Sequence, residues 1–143
     1  MAESYAKVGV GVMVVKKGEV LMSLRTTSHG AGTYQFPGGH LEYMESFEDC
    51  ARREVREECG IEIDNVEFAY VANMQAFAPK HFVHIGVRAD WKSGEPQQLE
   101  PEKSGPWIWY PLDRLPNPLN VYAKLQLISM TDSTRFFDAV THD

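Results

Sequence analysis

The chain predicts an α/β domain, and three observations carry that expectation. Phe47 to Cys59 has the spacing and end signals of a helix. Valine-rich or alternating stretches stand on both sides of it, as strands would. A second helical pattern follows near the carboxyl end.

Val8 to Lys16 is rich in valine with weak alternation, which reads as a buried strand. Lys17-Gly18 makes a turn into a second strand, Glu19 to Arg25. Thr26 to Thr33 is a polar, glycine-bearing loop, and Tyr34 to Phe36 is a short extended piece ended by Pro37 and the Gly38-Gly39 pair. Ser46 is a good helix N-cap, Glu48 and Asp49 suit the positive first turn, and Gly60 suits a left-handed end. Strands are then expected near Val66 to Met74 and over Phe82 to Trp91, the latter alternating Val83, Ile85, Val87 and Ala89 with Phe82, His84, Gly86 and Arg88. Glu95 to Gly105 reads as a loop, Trp107 to Tyr110 as a strand and Asn120 to Thr131 as a helix, while the last dozen residues carry no clear pattern. There are no repeats or low-complexity tracts.

At 143 residues the chain is expected to be one domain, 1–143, large enough for a single core. No run of about 18 apolar residues exists that could span a membrane. The opening MAESYAKVGV lacks the basic-then-apolar order of a secretion signal. Cys50 and Cys59 fall on the predicted helix, where a rise of about 1.5 Å per residue keeps them too far apart to bridge, so a reducing cytoplasm is the expected location. A net charge of −6 disfavours a non-specific nucleic-acid binder and means that an anionic substrate needs a metal and locally placed cations.

The chemistry concentrates in GGHLEYMESFEDCARREVREECGI, residues 38–61. At about 100° per residue, Phe47, Cys50, Ala51, Glu54 and Glu58 share one helix face, with Glu57 at its edge. That face should be the buried one, apolar first and acidic after. A solvated acidic face is the ordinary reading of a charge run. Carboxylates that are partly buried must instead be protonated or joined by a cation. Oxygen donors without a cysteine or histidine pair favour Mg²⁺ or Mn²⁺ over zinc, and Mg²⁺ also seats polyphosphates. Arg53 is four residues from Glu57, within ion-pair reach.

Gly39, Glu45, Arg53-Glu54-Val55, Glu57-Glu58 and Gly60-Ile61 stand at fixed offsets that resemble the Nudix box, the signature of hydrolases acting on a nucleoside diphosphate linked to another group. Every specified position is met. The resemblance implies an α/β/α sandwich with a mixed central sheet. It also implies metal held by Glu54, Glu57, Glu58 and the Gly39 carbonyl, with Arg53 and Glu45 in support. Which glutamate is the base stays open, since the cluster titrates as a unit.

YQFPGGHLE at 34–42, EPEK at 100–103, WIWYPLDRLPNPL at 107–119 and the VGVGVMVV opening further resemble the nucleotide-pool-cleaning branch of that family, which includes the mammalian thiopurine-nucleotide diphosphatase and oxidised-guanine nucleotide hydrolases. From that branch comes the expectation that Glu102, ahead of Glu100, supplies an extra metal ligand or the base, that Arg25 contacts phosphate, and that the chain forms a homodimer. His40, beside Gly39, could hydrogen-bond substrate or serve structure. A base pocket would draw on Gln35, Phe36, Leu41, Phe77 and Trp109, with Asn73 and Gln75 as polar candidates. His81 and His84, three apart in sequence, make a poor metal pair, and His29 and His142 carry no argument. Met44 stands where many relatives have glycine.

The expected function is Mg²⁺-dependent hydrolysis of nucleoside triphosphates, oxidised or modified purines among them, to monophosphate and pyrophosphate. The alternatives are another diphosphate substrate (dihydroneopterin triphosphate, an ADP-sugar or a dinucleotide) and a non-catalytic nucleotide-binding module. The lack of a CxxC pair disfavours a zinc-bearing NADH-cleaving relative.

Overall fold

A computed structural model describes residues 4–143; residues 1–3, the start of the stretch read for a leader, lie outside the described residues. β1 (Lys7–Lys16) turns at Lys17 and Gly18 into β2 (Glu19–Leu24). Both turn residues are left-handed, at φ 49° and 78°, which matches the twist of a two-residue hairpin. β3 (Tyr34–Gln35) and β4 (Gly38–His40) precede α1 (Phe47–Cys59). β5 (Glu62–Met74), β6 (Phe82–Ser93), β7 (Ile108–Pro111), α2 (Val121–Asp132) and β8 (Phe136–Val140) complete the order.

The strands form one mixed sheet in the order β3-β2-β1-β6-β5-β8, with β4 also on β1 and β7 also on β2. β1–β6 and β5–β8 are parallel, and the other pairs are antiparallel. Alternation along β1 assigns the two faces. Val10, Val12 and Val14 join Cys50, Ala51 and Val55 of α1 in one core cluster. Met13, one step out of phase, packs with Ala123 of α2 on the other face. Tyr70, Ala72 and Met74 of β5 meet Val121 and Leu125 of α2 on that second face. The result is an α/β/α sandwich around a mixed sheet.

Helix α1 has the bounds the caps predict. Ser46 accepts a hydrogen bond from the Asp49 amide at 3.0 Å, and Gly60 closes the helix at φ 71°. Phe47, placed on the buried face by its angle, is 46% exposed. Phe47 opens the helix, and Cys50, Ala51, Val55 and Cys59 form its buried side. Among the described residues, no helix is long and apolar enough to cross a membrane.

Three elements depart from the sequence reading. Gly38–His40 is a strand, because β1 pairs with β2 at Val15 and Lys16 and offers its earlier residues, Gly9 to Gly11, as a partner. β5 begins at Glu62 and not Val66, and register shifts within it blur the alternation. Residues 136–140, which carry no pattern, become strand β8 only because β5 supplies a parallel partner.

Candidate active site

β4 is the hinge of the site. Adjacent residues of a strand face opposite sides of a sheet. Gly39 faces α1: a Cβ there would collide with the Glu54 carboxylate. His40 faces the other way and stacks on Phe82 at 5.8 Å. The chain thus places carboxylates on one side of a single strand and a cavity on the other.

On the α1 side, Arg53 ties the box together. Its Nε and Nη2 donate to the two Glu45 carboxylate oxygens at 2.7 and 3.0 Å. Its Nη1 donates to Glu54 at 2.7 Å and reaches Glu57 at 3.3 Å. Its Nη2 also donates to the His40 carbonyl at 3.0 Å, which fixes the helix to β4. Hydrogen bonds from Arg53 pull the Glu45 carboxyl down to about 2. Stability from this pair is therefore full above the ordinary carboxyl value of 4.5 and disappears as pH falls toward 2. Arg53→Ala is expected to destabilise the fold by about 2 kcal/mol at pH 6 and far less at pH 2.5. Urea melts at both pH values check this, and equal losses would refute it.

Glu58 accepts a hydrogen bond from the Gly38 amide at 3.2 Å, so Glu54 and Glu58 both lie against the paired glycines. Burial pushes both carboxyls up, Glu58 the more strongly. For Glu54 it outweighs the Arg53 ion pair, and for Glu58 the neighbouring charges of Glu54 and Glu100 add to it. Glu57, its side chain 52% exposed, stands apart from them beside Arg53. Of the two loop glutamates, it is Glu100 whose charge reaches Glu54 and Glu58. Glu102, the loop glutamate favoured from sequence, is exposed. The reason is a backbone tie: the Leu99 amide donates to the Glu58 carbonyl at 3.3 Å and draws residue 100 toward the helix.

These donors suit a hard divalent cation: they are carboxylates beside glycine backbone, with no cysteine or histidine among them. Cys50 and Cys59 are buried, and burial raises both thiols, Cys50 to about 12. Among the described residues, no three histidine, cysteine or acidic side chains form a ready-made cage. An ion here would complete its shell with water and substrate oxygens, as Mg²⁺ does.

Across β4 lies a cavity of about 170 Å³. Arg25, Gln35 and His40, predicted from sequence to meet substrate, all line it, as do Phe36 and Phe77. Arg25 sits just beyond β2, its Nη1 donating to Gln35 at 3.1 Å and its Nε to the His29 carbonyl at 2.7 Å. Burial and the charges of Lys7, Lys103 and Lys80 push His40 down, so cations do gather near this mouth despite the net acidity. Leu41 and Trp109 belong to the α1-side core and do not line the cavity. Asn73 and Gln75 are not in it either: Asn73 bonds His81 at 2.6 Å. Tyr70, His84, Tyr122, Gln126 and His29 line it without having been anticipated. His84 was legible only as half of a poor metal pair, because its burial comes from α2, 38 positions along from it to Tyr122.

Comparison with known proteins follows the same lines. The model of the NUDIX domain matches residues 6–129. The chain is similar to the NAD-capped RNA hydrolase NudC of Pseudomonas aeruginosa, 35% identical over 107 residues, which cover 73% of this chain and 36% of that protein. It thus spans about a third of that relative's length. It is also similar to the oxidized purine nucleoside triphosphate hydrolase of Danio rerio, 33% identical over 111 residues, covering 73% of this chain and 66% of the relative. Among solved structures, a MutT NUDIX hydrolase from Burkholderia pseudomallei superposes with a TM-score of 0.83 at 31% identity, over 90% of this chain and all of that one.

Proposed function

The chain belongs to the Nudix family, and from that premise we propose that it is a Mg²⁺- or Mn²⁺-dependent nucleoside triphosphate diphosphatase, acting as one domain on oxidised or modified purine nucleotides among others. The observation that carries this reading is the placement of two desolvated carboxylates, Glu54 and Glu58, one strand away from a cavity lined by aromatic rings and an arginine. The similarity to the zebrafish oxidized purine nucleoside triphosphate hydrolase supports the substrate class.

Glu54 and Glu58, with Glu57 and the Gly39 carbonyl, would hold the metal. When bound, it would polarise the phosphate oxygens and lower the pKa of attacking water. The chain's own residues do the rest. Arg53 holds Glu45, Glu54 and the His40 carbonyl in fixed relation, so the carboxylates need little rearrangement during the reaction. Burial makes Glu54 and Glu58 more basic than exposed carboxylates, the direction that general-base work needs, and either could take the proton. Glu100 adds negative charge beside them. Arg25 and the lysines around His40 offset the charge of the polyphosphate. Cleavage yields a nucleoside monophosphate and pyrophosphate. A homodimer follows by analogy and is checked by light scattering.

A second reading is favoured by the 35% identity to a NAD-capped RNA hydrolase: the diphosphate cleaved would join two nucleotides. A panel of canonical, oxidised and methylated nucleoside triphosphates, NAD, ADP-ribose and dihydroneopterin triphosphate, each with Mg²⁺ and Mn²⁺, separates the two. The first reading expects pyrophosphate plus a nucleoside monophosphate. Two monophosphates from NAD, with no pyrophosphate from any triphosphate, would overturn it.

A further inference from the structure

The cavity beside β4 ends in polar groups that no other residue satisfies. His84 stands on β6 directly across from Gly9 of β1. Its ring fills the space that side chains at positions 9 and 11 would occupy. A Cβ at Gly11 would sit 2.7 Å from Nε2, and one at Gly9 3.3 Å from Nδ1. Tyr122 of α2 stacks on the ring at 3.7 Å and 15°. The imidazole is clamped between strand and helix, yet its Nε2 is buried with no hydrogen-bond partner. The amide Nε2 of Gln126, one turn further along α2 and 2% exposed, is in the same condition. Both residues line the cavity. Buried polar atoms are nearly always paired, so two orphans on one cavity wall call for a ligand to complete them.

The chemistry of that ligand can be narrowed. Burial depresses His84 to about 3, so its ring is neutral at physiological pH and offers one donor and one acceptor. A primary amide also offers both. Neither suits a phosphate, which takes cations or clustered N–H donors. The walls are aromatic: Phe77, against which His29 packs at 4.8 Å, and Tyr122. Flat aromatic walls and a neutral donor–acceptor end fit a flat, heteroatom-edged ring.

We propose that His84 and Gln126 are specificity-determining residues that hydrogen-bond the edge of a nucleobase at the inner end of this cavity. The assignment deepens the function proposed above and rests on it for the phosphate end, but base binding can be tested without turnover. Nucleoside monophosphates (GMP, AMP, CMP, UMP and 8-oxo-GMP) and ribose 5-phosphate, which lacks a base, are titrated into the metal-free protein by calorimetry. At least one monophosphate is expected to bind tenfold or more tighter than ribose 5-phosphate. Gln126→Met, of similar size without the amide, is expected to erase most of that advantage, and His84→Leu likewise. In the wild-type protein, the side-chain amide resonances of Gln126 are expected to shift on addition of the preferred monophosphate, a measurement that needs no variant to fold. The proposal is overturned if no monophosphate outbinds ribose 5-phosphate, if folded Gln126→Met and His84→Leu keep the base advantage within twofold, or if the Gln126 amide resonances do not move. Base-selective binding without pyrophosphate release from any triphosphate would leave this assignment standing and sink only the reaction.

Discussion

Glu58→Gln is expected to cut turnover steeply and, at the same time, to raise the stability of the metal-free protein at neutral pH. The two effects share one cause. Glu58 is half-buried in a pocket against β4, and desolvation there holds its carboxyl well above the usual range. The folded chain therefore keeps a proton on this group to higher pH than the unfolded chain does. The stability that goes with it is complete below the ordinary value of 4.5 and is lost as pH rises through the raised folded value. Above that ordinary value the folded wild-type protein must either keep a proton that the unfolded chain releases or hold a desolvated negative charge beside Glu54 and Glu100. Glutamine is neutral at every pH and keeps an oxygen to accept the Gly38 amide, now bonded at 3.2 Å. The gain should be about 1 kcal/mol, or a few degrees in melting temperature, and should vanish below pH 4. Turnover should fall by at least 10²- to about 10³-fold, the scale on which a group stabilising developing charge acts. Mg²⁺ should then raise the melting temperature of the wild-type protein more than that of Glu58→Gln. Melts at pH 4 and 7.5, with and without Mg²⁺, check the set. An unstable but active variant would remove Glu58 from the site.

Alanine at Gly38 and alanine at Gly39 should fail in opposite ways. At Gly38 a Cβ would run into the Val10 carbonyl oxygen and lie 2.9 Å from the Gly11 Cα, both backbone atoms of β1. Gly38 pairs with Gly11 in the β1–β4 ladder, so relief requires the strands to separate. Destabilisation of about 3 kcal/mol or more is expected. At Gly39 the obstacle is the end of a flexible side chain, with Glu54 Oε1 at 2.6 Å. Glu54 can swing aside, so stability should change by under about 1 kcal/mol. Its carboxylate is then displaced, and turnover should drop roughly 10²-fold, as misplacement by an ångström does. Urea melts and pyrophosphate release measured on both variants decide it. A stable, fully active Gly39→Ala protein would mean that Glu54 is not required where the structure holds it.

Helix α1 and its flanking strands were legible because their signals are local. Ser46 and the acidic first turn at one end, and Gly60 at the other, each act within about a turn of the end they set, and the helix ends where they say. Arg53 could be matched with Glu57 by helix spacing, but its shorter bonds go to Glu45 and Glu54. Those depend on how the loop of residues 40–46 folds back over the helix, which spacing along one helix does not encode.

By itself the sequence determined the α/β class, the bounds of α1 and the identity of the acidic box residues, because periodicity, caps and motif offsets are read over a few turns of chain. Only the tertiary structure decided which carboxylates gather, with Glu100 in place of Glu102 near Glu54 and Glu58. It alone made residues 136–140 a strand, and it alone turned His84 and Gln126 into the inner wall of a cavity. These outcomes need segments tens of residues apart to meet across the sheet. The free energy that brings them together lies in burial and pairing between elements, which no short window of sequence contains.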